Sequence, residues 1–584
     1  MITLNDIPHS TGSQADLAVD VAVVGAGVGG LYTGYRLLGG EYKPGGSRPA
    51  SVHVFDLADR LGGRLLSIKL PGMNVIGELG GMRYMRSQEM VTALIEDVFK
   101  LPNQEFPMGE PDDLYFYLRC QRFKANAWTH AQEQGEKFHV RYTFKLSEEG
   151  YSPDQLFNKI VYDVLTADPW FVAEFGDKVK KIDQYTYTFQ LTSREWNIVK
   201  PALTYAFPDS PFRGMKVNDI GFWNLIKDQV GQDAYSFLAD GGGYYSNTIN
   251  WNAAEAFPYM VGDFSSADSS YRTISDGYDQ IAYALAQSFT DMSGAKLWLG
   301  NRLETFSRAP DGSGHRYLLT FWNAAGQYRW TVKANNIVLA MPRRSLELLD
   351  QQSFFFNREG AQQLQKNIAS VIMEPSFKLL MGFEEPWWKE DFGAESGHSI
   401  TDLPMRQCYY FGTDPVNQHS LFLSSYNDMR TVPFWQVLMQ GRDKLPRYLG
   451  HATRLVRQEH LEALAKEPGE PAPIAMVEEA MSQVRELHGK GNEIPPPYVA
   501  RLQDWTQDPY GGGYHAWCAD VSVQNIMPYM RRPDHGENIH ITGEAYSDDQ
   551  GWVEGALCVT ELMLQEWFDM AWPAWLNRDY YLGW

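Results

Sequence analysis

Near the start of the chain a Val-rich run, Leu17-Ala18-Val19-Asp20-Val21-Ala22-Val23-Val24, enters Gly25-Ala26-Gly27-Val28-Gly29-Gly30 and leaves as Leu31-Tyr32-Thr33-Gly34-Tyr35-Arg36-Leu37-Leu38. The run suits a strand buried in a parallel sheet, and the segment after the glycines has helical spacing. Strand, G-x-G-x-x-G and helix in that order form the opening unit of a dinucleotide-binding sheet. Gly25 permits the tight turn, Gly27 lets backbone approach a pyrophosphate, and Gly30 lets the helix lie against the strand, while the helix N-terminus presents N–H donors to phosphate. Gly25, Gly27, Gly29 and Gly30 are therefore candidate cofactor contacts. Taken alone, the motif leaves a glycine-rich turn without a nucleotide as an alternative.

A second strand, Ser51-Val52-His53-Val54-Phe55-Asp56, ends in an acid, the group that accepts hydrogen bonds from a ribose diol. Its distance from Gly30 exceeds the usual ~20 residues. Gly39-Gly40 and Lys43-Pro44-Gly45-Gly46 mark an enlarged loop that absorbs the excess. Two further glycine pairs follow beside cations, in Asp59-Arg60-Leu61-Gly62-Gly63-Arg64 and Gly77-Glu78-Leu79-Gly80-Gly81-Met82-Arg83-Tyr84. The first suits a second approach to a pyrophosphate. Near the end of the chain, Asn538 to Glu544 reads as a strand leading to an acid, and the stretch from Ala545 through Gly551-Trp552 to Leu557 opens a helix. Its N-terminus suits a polar ring and a ribityl chain. One extended dinucleotide held from both ends of the chain accounts for all of these features.

Between these ends, residues 91–270 read mainly as helices with polar loops, with Asn218 or Asp219 capping the segment that holds Phe222 and Trp223. Strands return at Tyr317–Phe321, Asn336–Ala340, Ser376–Leu380 and Ser420–Ser424. Distant segments are thus expected to complete the first domain. Residues 467–498 bracket one helix between proline-rich connectors. A length of 584 residues allows two to four domains.

The formal net charge of −21 argues against a nucleic-acid partner, whose phosphates need clustered Lys and Arg. Cysteines at 120, 408, 518 and 558 are scattered, and none forms a C-x-x-C pair, so free thiols and no metal site are expected. The N-terminus lacks a basic region and an apolar run, and residues 19–40 carry Asp20, Arg36 and many glycines. A soluble, cytoplasmic chain without a membrane partner is the expectation.

The blocks Gly25–Gly30, Asp56–Arg64, Glu78–Arg83, Lys378, Trp505–Tyr514 and Thr542-Gly543-Glu544 through Gly551-Trp552 resemble those of the flavin-containing amine oxidase superfamily, and within it the L-amino-acid oxidases. They span nearly the whole chain in the family's order. The resemblance implies an α/β chain (α+β overall) with a Rossmann-like FAD-binding domain, a mixed-sheet substrate domain and a helical insertion domain. The expected boundaries are 16–66, 275–372 and 530–570 for FAD, 67–150 and 373–529 for substrate, and 151–274 for the helical part. Asp56 stands where the family more often has Glu; a shorter acid still binds a ribose.

The resemblance also implies roles. Arg83, in the Met-Arg pair of amino-acid oxidases, would bind the substrate α-carboxylate, which needs a fixed planar cation; pairing with a protein carboxylate or with FAD is the alternative. Tyr426 would share that carboxylate. Lys378 would hold a water near flavin N5, its apolar neighbours aiming it inward. Gly551 and Trp552 would flank the flavin, with Trp552 a wall near the substrate amine and Trp505 packed by the isoalloxazine. Arg64, Gly80, Gly81, Met82, Leu303, Glu544 and Val553 complete the implied FAD contacts. Gly511-Gly512-Gly513-Tyr514 replaces the Gly-Gly-Cys-Tyr block of family members with tethered flavin, so FAD is expected to be non-covalent and Cys518 a bystander. The histidine that venom-type enzymes use beside the substrate channel has no counterpart in 255–275.

The implied reaction is oxidative deamination of L-amino acids, leaning to large apolar or aromatic side chains, with dioxygen as second substrate and 2-oxo acid, ammonia and hydrogen peroxide as products. The alternatives are an amino-acid monooxygenase giving an amide and carbon dioxide, and a flavoprotein without turnover. A homodimer is implied by resemblance only.

Overall fold

The computed structural model describes residues 1–242, 250–263, 270–439 and 469–584. The strand Ala18–Val24 lies in parallel between Val52–Phe55 and the later half of the long strand Tyr328–Ala340. Ala295–Trp298 extends the sheet beyond Val52–Phe55, and Ile539–Thr542 pairs with the other side of Ile337–Ala340, both in parallel. Five parallel strands therefore come from three separated stretches of chain, 18–55, 295–340 and 539–542, as the returning Val- and Ile-rich runs require. The first half of Tyr328–Ala340 instead joins Tyr317–Asn323 and Asn301–Arg308 in an antiparallel meander.

One face of this sheet buries Val21, Val23, Val52 and Val54 with Leu31, Leu285 and Leu564 of the helices Val28–Gly39, Gln280–Thr290 and Val553–Trp567. The turn into the first helix accepts only glycine at two points. Gly25 has φ +117°, and a Cβ there would lie 2.1 Å from the Ala340 oxygen; a Cβ on Gly30 would lie 1.9 Å from the Gly25 oxygen.

The second sheet runs Glu470–Pro471, Val499–Asp504, Ser376–Phe383, Ser420–Asp428, Gln407–Thr413, Gly397–Thr401, Tyr115–Leu118, Gln121–Lys124. It is mixed, because Gly397–Thr401 pairs in parallel with Tyr115–Leu118 while its other pairs are antiparallel. The helix Ile474–His488, bracketed by prolines as expected, packs Met476, Ala480 and Val484 against Phe377, Leu379 and Phe422. The opposite face meets Leu66, Ile68 and Leu79.

The helical part contains Pro153–Ala167, started by a Ser152/Gln155 capping box, together with Ser193–Ala202, Phe222–Gln229, Gln232–Gly241 and Ala253–Pro258. Its core also takes in Trp128, Val140 and Tyr142. Two local readings are corrected. Residues 91–270 are less helical than their composition suggests: Asn103–Glu105, Tyr115–Leu118 and Gln121–Lys124 are strands. Neither Asn218 nor Asp219 caps the helix of Phe222; they lie in a 3₁₀ turn, Gly221 is the N-cap residue, and the Asn250 side-chain oxygen accepts from Trp223 N and Asn224 N at 3.1 and 3.3 Å. A cap supplied from 26 residues away leaves no local signature. Among the described residues no helix is long and apolar enough to cross a membrane.

Candidate active site

One cavity of about 690 Å³ draws its lining from both sheets and from the helical part. Its first end is backbone. Gly25, Gly27 and Gly29 line it, and the helix Val28–Gly39 begins there with no side-chain cap on its free N–H groups. A Cβ on Gly27 would meet nothing within 4 Å, so this glycine leaves space for a ligand rather than for protein. Gly30 does not line the cavity; it serves the helix–turn contact. Asp56 lines it, and its carboxylate accepts from Ala26 N at 2.5 Å and Ala58 N at 2.8 Å, bracing the glycine turn. Burial raises the Asp56 carboxyl against these donors.

The middle is organised by Glu544. Its carboxylate accepts from His515 N at 2.9 Å and Gly551 N at 2.8 Å, contacts His515 Nδ1 at 2.9 Å, and pairs with Arg64 at 2.8 Å. Burial, the largest single influence, would raise this carboxyl, but Arg64, His515 and the Gly551 N–H together outweigh it and hold the group well below the usual carboxylate range. Burial likewise lowers His515, so the imidazole is a neutral partner. Arg64 thus reaches the cavity with its charge matched by Glu544, and Arg60 braces the next turn by donating to Leu61, Gly63 and Leu65 oxygens. Gly551, at φ +86°, and Trp552 follow, and the helix Val553–Trp567 starts at the cavity, again without a side-chain cap.

The far end is made of side chains. Lys378 is 2% exposed. Its Nζ donates to Gly80 O at 2.7 Å and Glu78 O at 3.2 Å and lies 4.5 Å from the ring centre of Tyr426, its cross-strand partner. Alternation with apolar neighbours does not by itself aim it, because Ser376–Phe383 is buried at every position, with both sheet faces covered. Burial pushes the Lys378 ammonium down to about 7, with Arg83 in the same direction and the Glu78 carboxylate opposing. Glu78 is pushed up to about 8 by burial and by Asp279. Arg83 is buried with its guanidinium 3.8 Å from the Tyr271 ring centre and 5.3 Å from that of Phe106, donating to Met108 Sδ at 3.0 Å. Tyr271 in turn stacks on Trp552.

Gly80, Gly81, Met82, Leu303 and Val553 also line the cavity. Trp505 does not: it is buried edge-on with Tyr510, which does, and donates Nε1–H to Leu79 O at 2.8 Å. The sequence reading missed Tyr259, Tyr278, Tyr510 and Tyr514 on the wall and the Phe106, Met108 and Tyr271 seat of Arg83. Tyr271 belongs to the strand Tyr271–Ile274, which pairs with Tyr84–Met85 and Asn103–Glu105 inside a segment read as helical. Of the span 255–275, residues 264–269 lie outside the described residues.

Residues 28–450 match the model of the flavin containing amine oxidoreductases. The chain belongs to that family. This flavin-containing amine oxidoreductase is similar to achacin of Lissachatina fulica, 22% identical over 95% of this chain and 94% of achacin. It is also similar to L-amino-acid oxidase 4 of Hebeloma cylindrosporum, 22% identical over 96% of this chain and 82% of that protein. A solved structure of putrescine oxidase redesigned in its cofactor binding shares the fold, with TM-score 0.57 at 16% identity over 94% of this chain and 99% of that one.

The oxidoreductase uses FAD, and its residues fit that group. Two uncapped helix N-termini open into one cavity, as the two charged and polar halves of a dinucleotide need, and Gly27 leaves an unfilled Cβ position beside the first.

Proposed function

We propose that this oxidoreductase is an L-amino-acid oxidase that converts L-amino acids to 2-oxo acids, ammonia and hydrogen peroxide. The observation that carries the reading is Arg83: a buried guanidinium on the cavity wall, seated on aromatic rings and a thioether, beside Lys378, Tyr426 and Trp552. A simple amine needs no such cation, whereas an α-carboxylate in a partly dry pocket does. FAD, when bound, supplies the two-electron acceptor and its reoxidation by dioxygen.

The chain's own residues bind, orient and keep out water. Arg83 and Tyr426 clamp the carboxylate, and Trp552, braced by Tyr271, confines the amine and fixes which face of the α-carbon is presented. Lys378, neutral above about pH 7, holds a water from a seat of two backbone carbonyls. No strong side-chain base is needed when the substrate enters as the neutral amine. Non-covalent FAD belongs to the same reading: a Cβ on Gly513 would lie 2.5 Å from the Ser376 Cβ, so no tethering side chain fits that position, and Cys518 contacts Ala369 O instead. Preference for large apolar or aromatic substrates, a homodimer, the three-part division of the chain and a cytoplasmic location complete the proposal.

The deciding experiment is a panel of L-amino acids with anaerobic bleaching of the yellow flavin, then aerobic product analysis. Peroxide with ammonia is the expected result. Carbon dioxide with an amide would assign a monooxygenase, and no bleaching by any L-amino acid would overturn the reading.

A further inference from the structure

Away from the reacting groups, a lysine and two carboxylates lie buried where the helical part meets the loop before Trp552. Lys200, on the helix Ser193–Ala202, donates to Glu255 Oε2 at 2.7 Å and to Asp548 Oδ1 at 3.1 Å. The side chains of Lys200, Glu255 and Asp548 are 5, 6 and 15% exposed. Asn197, one turn earlier, donates to Asp548 Oδ2 at 2.8 Å. A buried ion cluster is poor value as a source of stability, because desolvation offsets most of the attraction and apolar replacements often do as well. Geometry is what such a cluster supplies.

Both carboxylates lead to the cavity. Glu255 stands four residues before Tyr259, with Ala253–Pro258 running on as a helical turn over Tyr259–Asp263, so the two share a face. Asp548 stands four residues before Trp552, in a loop held stiff by Ser547 Oγ donating to Glu544 O, Gln550 Nε2 donating to Ala545 O, and Gly551 N donating to Glu544. Tyr259 and Trp552 both line the cavity. With a four-residue connection on each side, helical on one and braced by these hydrogen bonds on the other, a displacement at Lys200 is expected to reach both rings.

We propose that Lys200, with Glu255 and Asp548, is a positioning device that fixes the spacing between Tyr259 and Trp552 and thereby sets how tightly the substrate side chain is held. The substrate half of this statement rests on the amino-acid oxidase reading; the mechanical half does not.

Lys200→Met tests it, with FAD content, anaerobic flavin reduction and hydrogen exchange measured on the FAD-loaded protein. The expected result is FAD content unchanged, the amino-acid concentration for half-maximal reduction rate raised about fivefold or more, and the limiting reduction rate within about twofold of the parent. Lys200→Arg restores affinity, and peptides covering 253–263 and 545–552 exchange faster together in the Met variant. Unchanged half-saturation, or faster exchange in one peptide only, overturns the proposal. If Lys200→Met does not fold, Asp548→Asn keeps the Lys200–Glu255 pair while loosening the loop, and the same two outcomes decide. If no L-amino acid reduces the parent flavin, the oxidase reading fails while the exchange of the two peptides still decides the coupling.

Discussion

The nucleotide end of the cavity is built from backbone, and the substrate end from side chains brought together by the second sheet and the helical part. At the first end, glycines and free helix N–H groups occupy consecutive positions in one strand–turn–helix unit, with a short acid at the end of the neighbouring strand, and tolerances are set by covalent geometry. At the second, Arg83, Lys378, Tyr426 and Trp552 come from four separate stretches and are held by partners as remote as Phe106 and Tyr271. A backbone site is therefore brittle in an all-or-none way, while a side-chain site degrades by graded amounts.

The strongest break of that comparison is at the glycines. Gly30→Val puts side-chain carbon into the Gly25 carbonyl and is expected to give no soluble FAD-loaded protein, read by the 450 nm-region flavin absorbance of the purified chain and by circular dichroism. Gly27→Ala meets no protein atom, so the apoprotein should melt within about 1 °C of the parent, while FAD affinity falls. Equal damage from both substitutions would show that the turn is not divided between a packing glycine and a ligand-facing one.

At the side-chain end, Arg83→Ala should keep FAD but cost on the order of 2–5 kcal/mol in transition-state binding, by analogy with truncated buried charge pairs. That is a fall in kcat/KM of roughly thirtyfold to several thousandfold. Arg83→Lys should recover only a small part, since an ammonium cannot bind a carboxylate in two-pronged fashion. An unchanged kcat/KM for L-amino acids in the Ala variant would remove the clamp.

Lys378→Met should slow flavin reoxidation in stopped flow by about tenfold with little effect on FAD content. It also has a signature in stability. The Lys378 ammonium titrates near 7 in the folded chain against about 10.4 in the unfolded one, so between those values the unfolded chain binds the extra proton and stability rises with pH. Glu78, pushed up to about 8, acts oppositely, taking stability away as pH rises from about 4.3 toward its folded value. Above pH 8 only the lysine contribution is left, and the methionine variant should lose that rise, at most about 1.4 kcal/mol per pH unit. Superimposable stability curves above pH 8 would mean that Lys378 titrates normally.

Legibility in the sequence follows the same division. The first strand, the glycine turn, the helix after it, Asp56 and the returning strands could be read because each is a local pattern with a local cause. Arg83 and Lys378 could be located because glycine pairs and a strand flanked them, but not what surrounds them. Nothing local marks Tyr271 as the ring beneath Arg83, since its strand exists only through pairing with Tyr84–Met85 and Asn103–Glu105. Asn250 capping a helix across 26 residues, and Glu544 binding Arg64 and Gly551 together, were hidden for the same reason: their partners are chosen by tertiary structure.

The smallest expected effect probes a residue whose motif was legible and whose position was not. Trp505 lies in a matched block, yet it packs edge-on with Tyr510, which lines the cavity while Trp505 does not, and its indole N–H is spent on Leu79 O. Leu79 adjoins Gly80, whose carbonyl seats Lys378. Trp505→Phe deletes one buried hydrogen bond and leaves the Leu79 carbonyl unpaired, a loss of about 1–3 kcal/mol of stability, while keeping an aromatic ring against Tyr510 and beneath the Arg60 guanidinium. A melting temperature lowered by about 1–2 °C with kcat/KM and the flavin spectrum changed less than about twofold is the outcome this geometry requires. A large change in the flavin spectrum would place Trp505 against the ring itself and would make the substrate end more readable from motif position than its side-chain construction allows.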